Sequence, residues 1–267
     1  MTVRKLDQPR GWAFTLGVVV LKPPLLAVSS RTWIDGDKIP ASGGCVVVIN
    51  HISHADPLTT AHFLYDHGRM PRYLAKSGLF NNKALGGFLR SAGQIPVKRM
   101  STDAVGAYSA AVEAVRDGEC VVVYPEGTIT RDPDLWPMVG KSGAARIALE
   151  TRCPVIPIGQ WGAQEVLAPY ARKPDLFPRK KIDMKVGDPV DLSDLYELER
   201  TPAVVNQATE RIMAVLTDLV EEVRGGTAPA ERFDPRKAGV AQIGNPKNQK
   251  KTQKKSAQQQ VPGEDPS

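Results

Sequence analysis

Residues 45–58 read CVVVINHISHADPL, an apolar run followed by a short polar segment and an Asp-Pro pair. Because the first five residues are apolar at consecutive positions, they predict a strand over residues 45–50 that is buried on both faces of a sheet. Asp56-Pro57 is typical of a helix beginning, since a carboxylate caps the first turn and proline fits its first position. The stretch therefore predicts a strand, a tight polar loop and a helix, as in an α/β domain.

The same alternation of strand and helix recurs along the chain. Further strands are predicted at residues 72–75, 94–98, 120–124, 154–158 and 182–186. Helices are predicted at residues 57–66, 77–91, 102–117, 142–151 and 202–224. This alternation indicates an α/β domain with helices on both faces of a central sheet.

Composition sets broad limits on compartment and partner. The 267 residues suffice for one domain with appendages, and 35 Lys and Arg against 29 Asp and Glu give a net charge of +6. That balance suits an anionic partner, whether nucleic acid, a phospholipid surface or a phosphorylated substrate. Because the three cysteines are far apart, with neither metal spacing nor a disulfide framework, a reducing cytoplasm is expected.

The N-terminal residues 1–33 are expected to form a membrane-interfacial helical segment. Residues 12–28 read WAFTLGVVVLKPPLLAV and follow several basic residues, but Lys22 and two prolines interrupt the apolar run. Each half is too short to span a bilayer, and no clean signal-peptide cleavage site follows. The pattern favours a helical hairpin or an interfacial helix in one leaflet over an ordinary amphipathic helix packed on the domain.

The C-terminal residues 225–267 are predicted to be a disordered basic tail beyond a domain spanning residues 34–224. Gly225-Gly226 ends the last predicted helix, and the sequence beyond is rich in Pro, Gln and Lys. With so few apolar residues, this segment cannot bury enough surface to fold. It serves either to solubilise the protein or to attract anionic lipid.

The polar loop after the first strand carries the strongest candidate for catalysis. A carboxylate at Asp56 can accept the imidazole N–H of His51, which fixes the tautomer and leaves the other ring nitrogen as a base. Three other interpretations remain open at this point. Asp56 could serve only as a helix cap, His51 and His54 could be hydrogen-bonded loop residues, or the three could bind a metal, although no further cluster of ligands supports that site.

A second polar segment ends another apolar strand, at residues 121–131 (VVVYPEGTITR). Gly127 permits a backbone turn, Glu126 can accept hydrogen bonds from glycerol hydroxyls, Thr128 can donate one, and Arg131 can bind a phosphate. A purely structural turn is the alternative interpretation.

A third strand end, residues 94–99 (QIPVKR), offers Lys98 and Arg99 as phosphate ligands. Taken alone, these two residues are more simply explained as a solvated charge pair. They remain candidates because they lie at a strand end, and ligands in open α/β sheets bind at the carboxyl ends of the strands.

Together, four blocks resemble the glycerolipid acyltransferase family, whose members acylate glycerol phosphate, 1-acylglycerol-3-phosphate and other lysophospholipids. The block N-H-x-S-x-x-D is matched by residues 50–56, and a Gly-x-Ile-Pro-Val-x-Arg run by residues 93–99. The block F/Y-P-E-G-T is matched by residues 124–128, and an apolar run with proline by residues 155–158. All four occur in the family's order, which makes a chance match improbable.

The resemblance implies a mixed, largely parallel central sheet flanked by helices, and a catalytic His51 oriented by Asp56. An acceptor hydroxyl would attack an acyl-CoA or acyl-carrier-protein thioester directly, with no cofactor, no metal and no covalent acyl-enzyme. The expected acceptor is 1-acylglycerol-3-phosphate, which gives phosphatidic acid; another lysophospholipid, a glycolipid or glycerol phosphate is the alternative. The implied substrate-binding residues are Asn50, Ser53, Lys98, Arg99, Glu126, Gly127, Thr128 and Arg131.

The resemblance also selects a phospholipid surface over nucleic acid as the partner. The expected location is the cytoplasmic face of the cell membrane, with peripheral or monotopic attachment. A lipid-binding module without turnover is the main alternative in another class, and the complete His-Asp pair argues against it. A hydrolase is disfavoured because residues 140–143 (GKSG) do not form a nucleophile elbow.

Overall fold

The computed structural model describes residues 4–6, 8, 10–97 and 104–241. In this part of the chain the strands are β1 Ser29–Ile34, β2 Cys45–Ile49, β3 Pro71–Lys76, β4 Ile95–Val97, β5 Cys120–Val123, β6 Val155–Trp161 and β7 Lys180–Val186. They form one sheet in the order β1-β7-β6-β2-β5-β3-β4. The β6–β7 pair is antiparallel and the other pairings are parallel, which confirms the mixed, largely parallel sheet.

Helices cover both faces of this sheet, as predicted. They are α1 Trp12–Val28, α2 Asp56–Asp66, α3 Lys83–Ser91, α4 Ala104–Arg116, α5 Gly143–Thr151, α6 Ala163–Val166 and α7 Pro202–Arg224. A short 3-10 turn, Ser77–Phe80, precedes α3, so the helix predicted at residues 77–91 is divided in two.

Strand β2 lies near the middle of the sheet and contributes to both cores. Val46 and Val48 pack in the cluster that includes residues of α4, α5 and α7. Val47 and Ile49 pack in the other cluster, with Phe63 of α2. The consecutive apolar residues of β2 are therefore required because its two faces are both fully buried.

Helix α1 is continuous through Pro23 and Pro24, so the predicted hairpin is wrong. The prolines remove two backbone donors, yet the helix continues because one of its sides packs against α2 and α3. The alternative of a single interfacial helix agrees with this geometry. Among the described residues, no helix has the length and apolar character needed to cross a membrane.

Strand β1 was not predicted from the sequence. Its residues, SSRTWI, are mostly polar and only Ser29 is fully buried. The strand forms because it pairs in parallel with β7 at the edge of the sheet. The boundary predicted after residue 33 therefore falls inside a strand of the domain.

The predicted disorder from residue 225 is corrected for residues 225–241, which the structure describes. The N–H of Val139 donates to the carbonyl of Phe233 at 3.0 Å, and Arg232 forms an ion pair with Glu210 of α7. Both contacts are made by backbone or charged groups rather than by apolar side chains. The low hydropathy of the segment therefore led to the wrong prediction of disorder. The rest of the tail, residues 242–267, lies outside the described residues.

Candidate active site

The carboxyl ends of β2 and β5 lie side by side and deliver the polar loops to one edge of the sheet. His51 follows β2, and its Nδ1 lies 2.7 Å from Oδ2 of Asp56 at the start of α2. The N–H groups of Ile52 and Ser53 donate to the same oxygen at 2.7 and 2.8 Å. Asp56 therefore holds the loop and His51 together, as the orienting interpretation requires. The predicted helix cap is wrong, because the carboxylate accepts from residues that precede α2 and no side chain caps the first turn of that helix.

This hydrogen bond defines which nitrogen of His51 is available. When Nδ1–H donates to the Asp56 carboxylate, Nε2 carries a lone pair and can act as a base. Asp56 is fully buried, and burial raises the pKa of its carboxyl group while the hydrogen bond from His51 lowers it. The His51 side chain is 15% exposed, which leaves it accessible to a substrate.

The position of His51 is fixed by the second polar segment. Its N–H donates to Oε1 of Glu126 at 2.8 Å, and its carbonyl accepts from the N–H of Thr130 at 2.7 Å. The imidazole ring stacks on Tyr124 with ring centroids 4.3 Å apart, and Tyr124 is nearly parallel to Tyr73. The two polar segments thus form one rigid unit around the imidazole.

Glu126 lies within this unit and is buried, with 1% of its surface exposed. Its second oxygen accepts the N–H of Met138 at 3.2 Å. Burial raises the pKa of the Glu126 carboxyl group to about 8, although its backbone donors favour the ionised form. Both carboxyl oxygens contact backbone amides of the protein, so Glu126 positions His51 and the loop at Met138.

Asn50 and Ser53, predicted to bind substrate, are fully buried and bonded to backbone groups instead. Asn50 Nδ2 donates to the carbonyl of Gln160 at 3.1 Å, and its Oδ1 accepts the Gln160 N–H at 2.9 Å. Ser53 Oγ donates to the carbonyl of Leu167 at 2.6 Å. Neither side chain is accessible to a substrate in this structure, and both hold the His51 loop against β6 and the segment that follows α6.

The predicted residues Gly127, Thr128 and Arg131 lie in the segment that follows β5. Gly127 has φ of +69°, a backbone conformation that favours glycine, and a Cβ there would also displace the end of the Lys141 side chain, whose Nζ would lie 2.7 Å away. The guanidinium of Arg131 lies 4.8 Å from the ring centre of Tyr170. Burial raises the pKa of the Tyr170 hydroxyl, and a hydrogen bond with Thr128 acts in the opposite direction. Arg131 and Thr128 thus come together at Tyr170. Lys98 and Arg99 lie outside the described residues.

An apolar pocket of about 420 Å³ extends from His51 and Tyr124 between α1, α2, β3 and α3. Helix α1 supplies one wall of it. The lining includes Phe14, Val18, Leu21, Leu58, Leu74 and Phe88. A long hydrocarbon chain would be removed from water here, with its polar end beside the imidazole.

The metal alternative receives no structural support from the described part of the chain, where no group of three or more His, Cys, Asp or Glu side chains is arranged to hold an ion. His54 is exposed and lies edge-on to Tyr170, with ring centroids 5.8 Å apart.

With this geometry established, comparison with known proteins decides the family. A family model described as Acyltransferase matches residues 31–161, which include His51, Asp56 and all four sequence blocks. The chain contains an acyltransferase domain. The protein is therefore an acyltransferase.

Relatives of this acyltransferase are named for one activity. The chain is 28% identical over 179 residues to the 1-acyl-sn-glycerol-3-phosphate acyltransferase of Bacillus subtilis, covering 66% of this chain and 83% of the relative. It is 34% identical over 140 residues to a chloroplastic enzyme of that activity from Brassica napus, covering 51% of this chain and 39% of the relative. The chain therefore spans about two fifths of that plant protein.

The fold of this acyltransferase also resembles a crystal structure of the 1-acyl-sn-glycerophosphate acyltransferase PlsC from Thermotoga maritima. The TM-score is 0.57 at 24% identity, covering 79% of this chain and 82% of that one. At this identity the likeness shows the fold.

Three residues of the acyltransferase site were missed by sequence reasoning. Tyr124 is the first residue of the third block, so its place directly after β5 was a usable signal for its contact with His51. Gln160 and Tyr170 carried no local signal. They reach the site because β6 lies beside β2 and the loop after α6 returns over the turn at Ile129.

Proposed function

We propose that this acyltransferase moves a fatty acyl group from acyl-CoA or acyl carrier protein to the free hydroxyl of 1-acylglycerol-3-phosphate, which gives phosphatidic acid. The observation that carries the proposal is the hydrogen-bonded His51–Asp56 pair at the end of an apolar pocket. The activity for which the relatives are named supports this acceptor.

In the proposed reaction His51 is the general base and later the general acid. Its Nε2 takes the proton of the acceptor hydroxyl as that oxygen attacks the thioester carbonyl carbon. The new C–O bond forms, the tetrahedral intermediate collapses, and the C–S bond breaks. The imidazolium then gives its proton to the departing sulfur, which leaves as a thiol, so no covalent acyl-enzyme is required.

Asp56 contributes at two points of this sequence. It keeps the proton on Nδ1 before reaction, and its negative charge stabilises the imidazolium that forms as the hydroxyl is deprotonated. Much of the remaining barrier is removed by holding acceptor and thioester in attack geometry, which the rigid loop around His51 favours.

The acceptor phosphate is assigned to cations at the same edge of the sheet. Arg131 lies beside Tyr170 and Thr128, next to the turn at Gly127. A guanidinium can bind a phosphate through two parallel hydrogen bonds. We place Lys98 and Arg99 in this role as well, on the strength of the family block to which they belong.

Membrane attachment is proposed through α1. Its outward side carries apolar side chains, with Trp12 exposed to 65% and Leu16, Val19 and Val20 exposed beside it. Such a helix is stabilised when its apolar side lies in the headgroup region of a bilayer. The insoluble acceptor lipid would be found in the same bilayer. The proposed location is the cytoplasmic face of the cell membrane, with peripheral or monotopic attachment.

The experiment is an acceptor panel with purified protein. Labelled 1-acylglycerol-3-phosphate, other lysophospholipids, a glycolipid and glycerol phosphate are each supplied with acyl-CoA or acyl carrier protein. Wild-type protein is expected to form phosphatidic acid, and His51→Ala is expected to lose the activity. His54→Ala is the matched control, because His54 is exposed in the same loop and is expected to leave the rate unchanged.

Efficient acylation of another acceptor with no product from 1-acylglycerol-3-phosphate would overturn the proposed acceptor. Full activity in the His51→Ala variant would remove the proposed mechanism.

A further inference from the structure

The loop of residues 171–179, between α6 and β7, presents apolar side chains to solvent. Phe177 is 72% exposed, the highest value among the exposed large apolar side chains of the described residues, and Leu176 is 37% exposed. A single exposed apolar residue is common on protein surfaces and needs no explanation. Two adjacent apolar side chains left in water at the tip of a loop are more typical of a surface that contacts a partner or a membrane. The residues around the pair indicate which of these it contacts.

Cations flank this apolar tip on both sides. Arg172, Lys173 and Arg179 are exposed. Asp175 is the acidic residue of the loop, and its carboxylate is paired with Lys180 at 2.9 Å. An apolar tip between exposed cations matches the surface of an anionic bilayer, where phosphates lie just outside the hydrocarbon.

The loop lies on the edge of the sheet that carries the active site. β6 runs parallel to β2, and β7 begins where β6 ends, so the loop and His51 share the carboxyl edge of β2. At the base of the loop, the carbonyl of Leu167 accepts from Ser53 and Tyr170 lies against Arg131. The loop thus lies on the same edge of the sheet as His51.

The loop is also joined to the C-terminal end of α1. Arg179 donates to the carbonyl of Leu26 at 2.9 Å and to that of Ser29 at 2.7 Å. Phe177 is two residues before Arg179, so the apolar tip adjoins the helix whose outward side is apolar. The loop and the C-terminal end of α1 are therefore neighbours.

We propose that the 171–179 loop is a second bilayer contact, in which Leu176 and Phe177 enter the interfacial hydrocarbon and Arg172 and Lys173 bind lipid phosphates. The inference rests on the proposed function, since it takes the acceptor to be a bilayer lipid. An acidic carrier protein would also attract the cations, but the exposed aromatic residue beside the apolar side of α1 favours lipid.

The test measures partitioning of the full chain onto vesicles of phosphatidylcholine, with and without phosphatidylglycerol, over a range of lipid concentrations. Phe177→Ser is expected to lower the partition coefficient about tenfold, because burial of a phenylalanine is lost. Leu198→Ser is the matched control: Leu198 is 49% exposed in the connection before α7, and its loss is expected to leave partitioning unchanged.

The charges are tested by Arg172→Gln with Lys173→Gln. Removal of each cation is expected to weaken binding to phosphatidylglycerol vesicles about fivefold, with little change on phosphatidylcholine alone. Equal partitioning of the Phe177→Ser and Leu198→Ser variants would overturn the inference. So would unchanged partitioning of the charge variant with a raised KM for acyl carrier protein, because the loop would then dock that protein.

Acyl transfer in detergent separates this inference from the proposed function. The loop variants are expected to keep the wild-type kcat on detergent-dispersed acceptor, because the loop tip does not touch the reacting atoms. Vesicle binding by wild-type protein without any acylation would refute the proposed function alone.

Discussion

Replacing Glu126 by Gln should change how the stability of the protein depends on pH. The Glu126 carboxyl group has a pKa of about 8 in the folded protein against 4.5 for the ordinary side chain, because burial disfavours its charge. Between these two values the folded chain retains a proton that the unfolded chain releases. The contribution is fully present below pH 4.5 and is lost as pH rises toward 8, so the wild-type protein should become less stable over that range.

The size of the effect follows from the same pKa difference. Each pH unit inside the window is worth about 1.4 kcal/mol, so wild-type protein should lose about 2 kcal/mol between about pH 6 and pH 8 through this group. The free energy of unfolding of Glu126→Gln should not fall in this way between about pH 6 and pH 8. It should be lower than that of an unperturbed protein by about 1–3 kcal/mol at every pH, because the amide nitrogen of Gln cannot accept the N–H of Met138.

The assay is urea unfolding in detergent, followed by tryptophan fluorescence at several pH values. Glu165→Gln, which removes an exposed glutamate of α6, serves as the control and should follow the wild-type pH dependence. Identical pH dependences for wild-type protein and Glu126→Gln would show that Glu126 is charged in the folded state, and would refute the reasoning from burial.

Three further predictions concern other parts of the site and the fold. Asp56→Asn should lower kcat by about 10²–10⁴-fold with a small effect on KM, because the variant no longer stabilises an imidazolium at His51; a steady-state rate near that of wild type would contradict the assigned role. Gly17→Leu should shift chain-length preference toward shorter acyl groups, since Gly17 lines the pocket opposite Phe88, and competition between short and long acyl-CoA would show it. Gly106→Leu, in open space on α4, is its control. Arg69→Met should cost at least about 3 kcal/mol in urea unfolding, because the buried guanidinium donates to the carbonyls of Pro40, Gly43 and Gly118; a loss below about 1 kcal/mol would speak against that anchoring role.

Local sequence was sufficient where an element depends on its own residues. Helix α7 has the predicted bounds, Pro202–Arg224, because Thr201 caps it, proline occupies its first position and Gly225 follows it. The strand β2 was equally clear, since burial on both faces requires apolar residues at every position.

Local sequence failed where a distant partner decides the structure. The polar strand β1 exists through its pairing with β7, and α1 stays helical through two prolines because it packs on α2 and α3. Local propensity favoured a turn at the prolines, but tertiary packing prevailed.

In the candidate site, too, some features follow from local sequence and others depend on distant partners. The first and third blocks supplied Asp56 and Glu126, which both contact His51, and the geometry of the His51–Asp56 pair agrees with the expected orientation. They did not show whether a polar side chain faces a ligand or the backbone. For Asn50 that answer depends on Gln160, and for Glu126 it depends on Met138, neither of which belongs to the blocks.

The position of α1 bears on how the enzyme can be handled. Deleting an apolar N-terminus is a common remedy for poor solubility, and here residues 1–28 would be the obvious target. Because α1 forms one wall of the pocket beside His51, the shortened protein would lose the surface that encloses a hydrocarbon chain. It would also lose the carbonyl of Leu26, one of the two that accept hydrogen bonds from Arg179, so a single truncation would disturb substrate enclosure and the 171–179 loop together. Solubilising substitutions at Trp12, Val19 and Val20 would spare both.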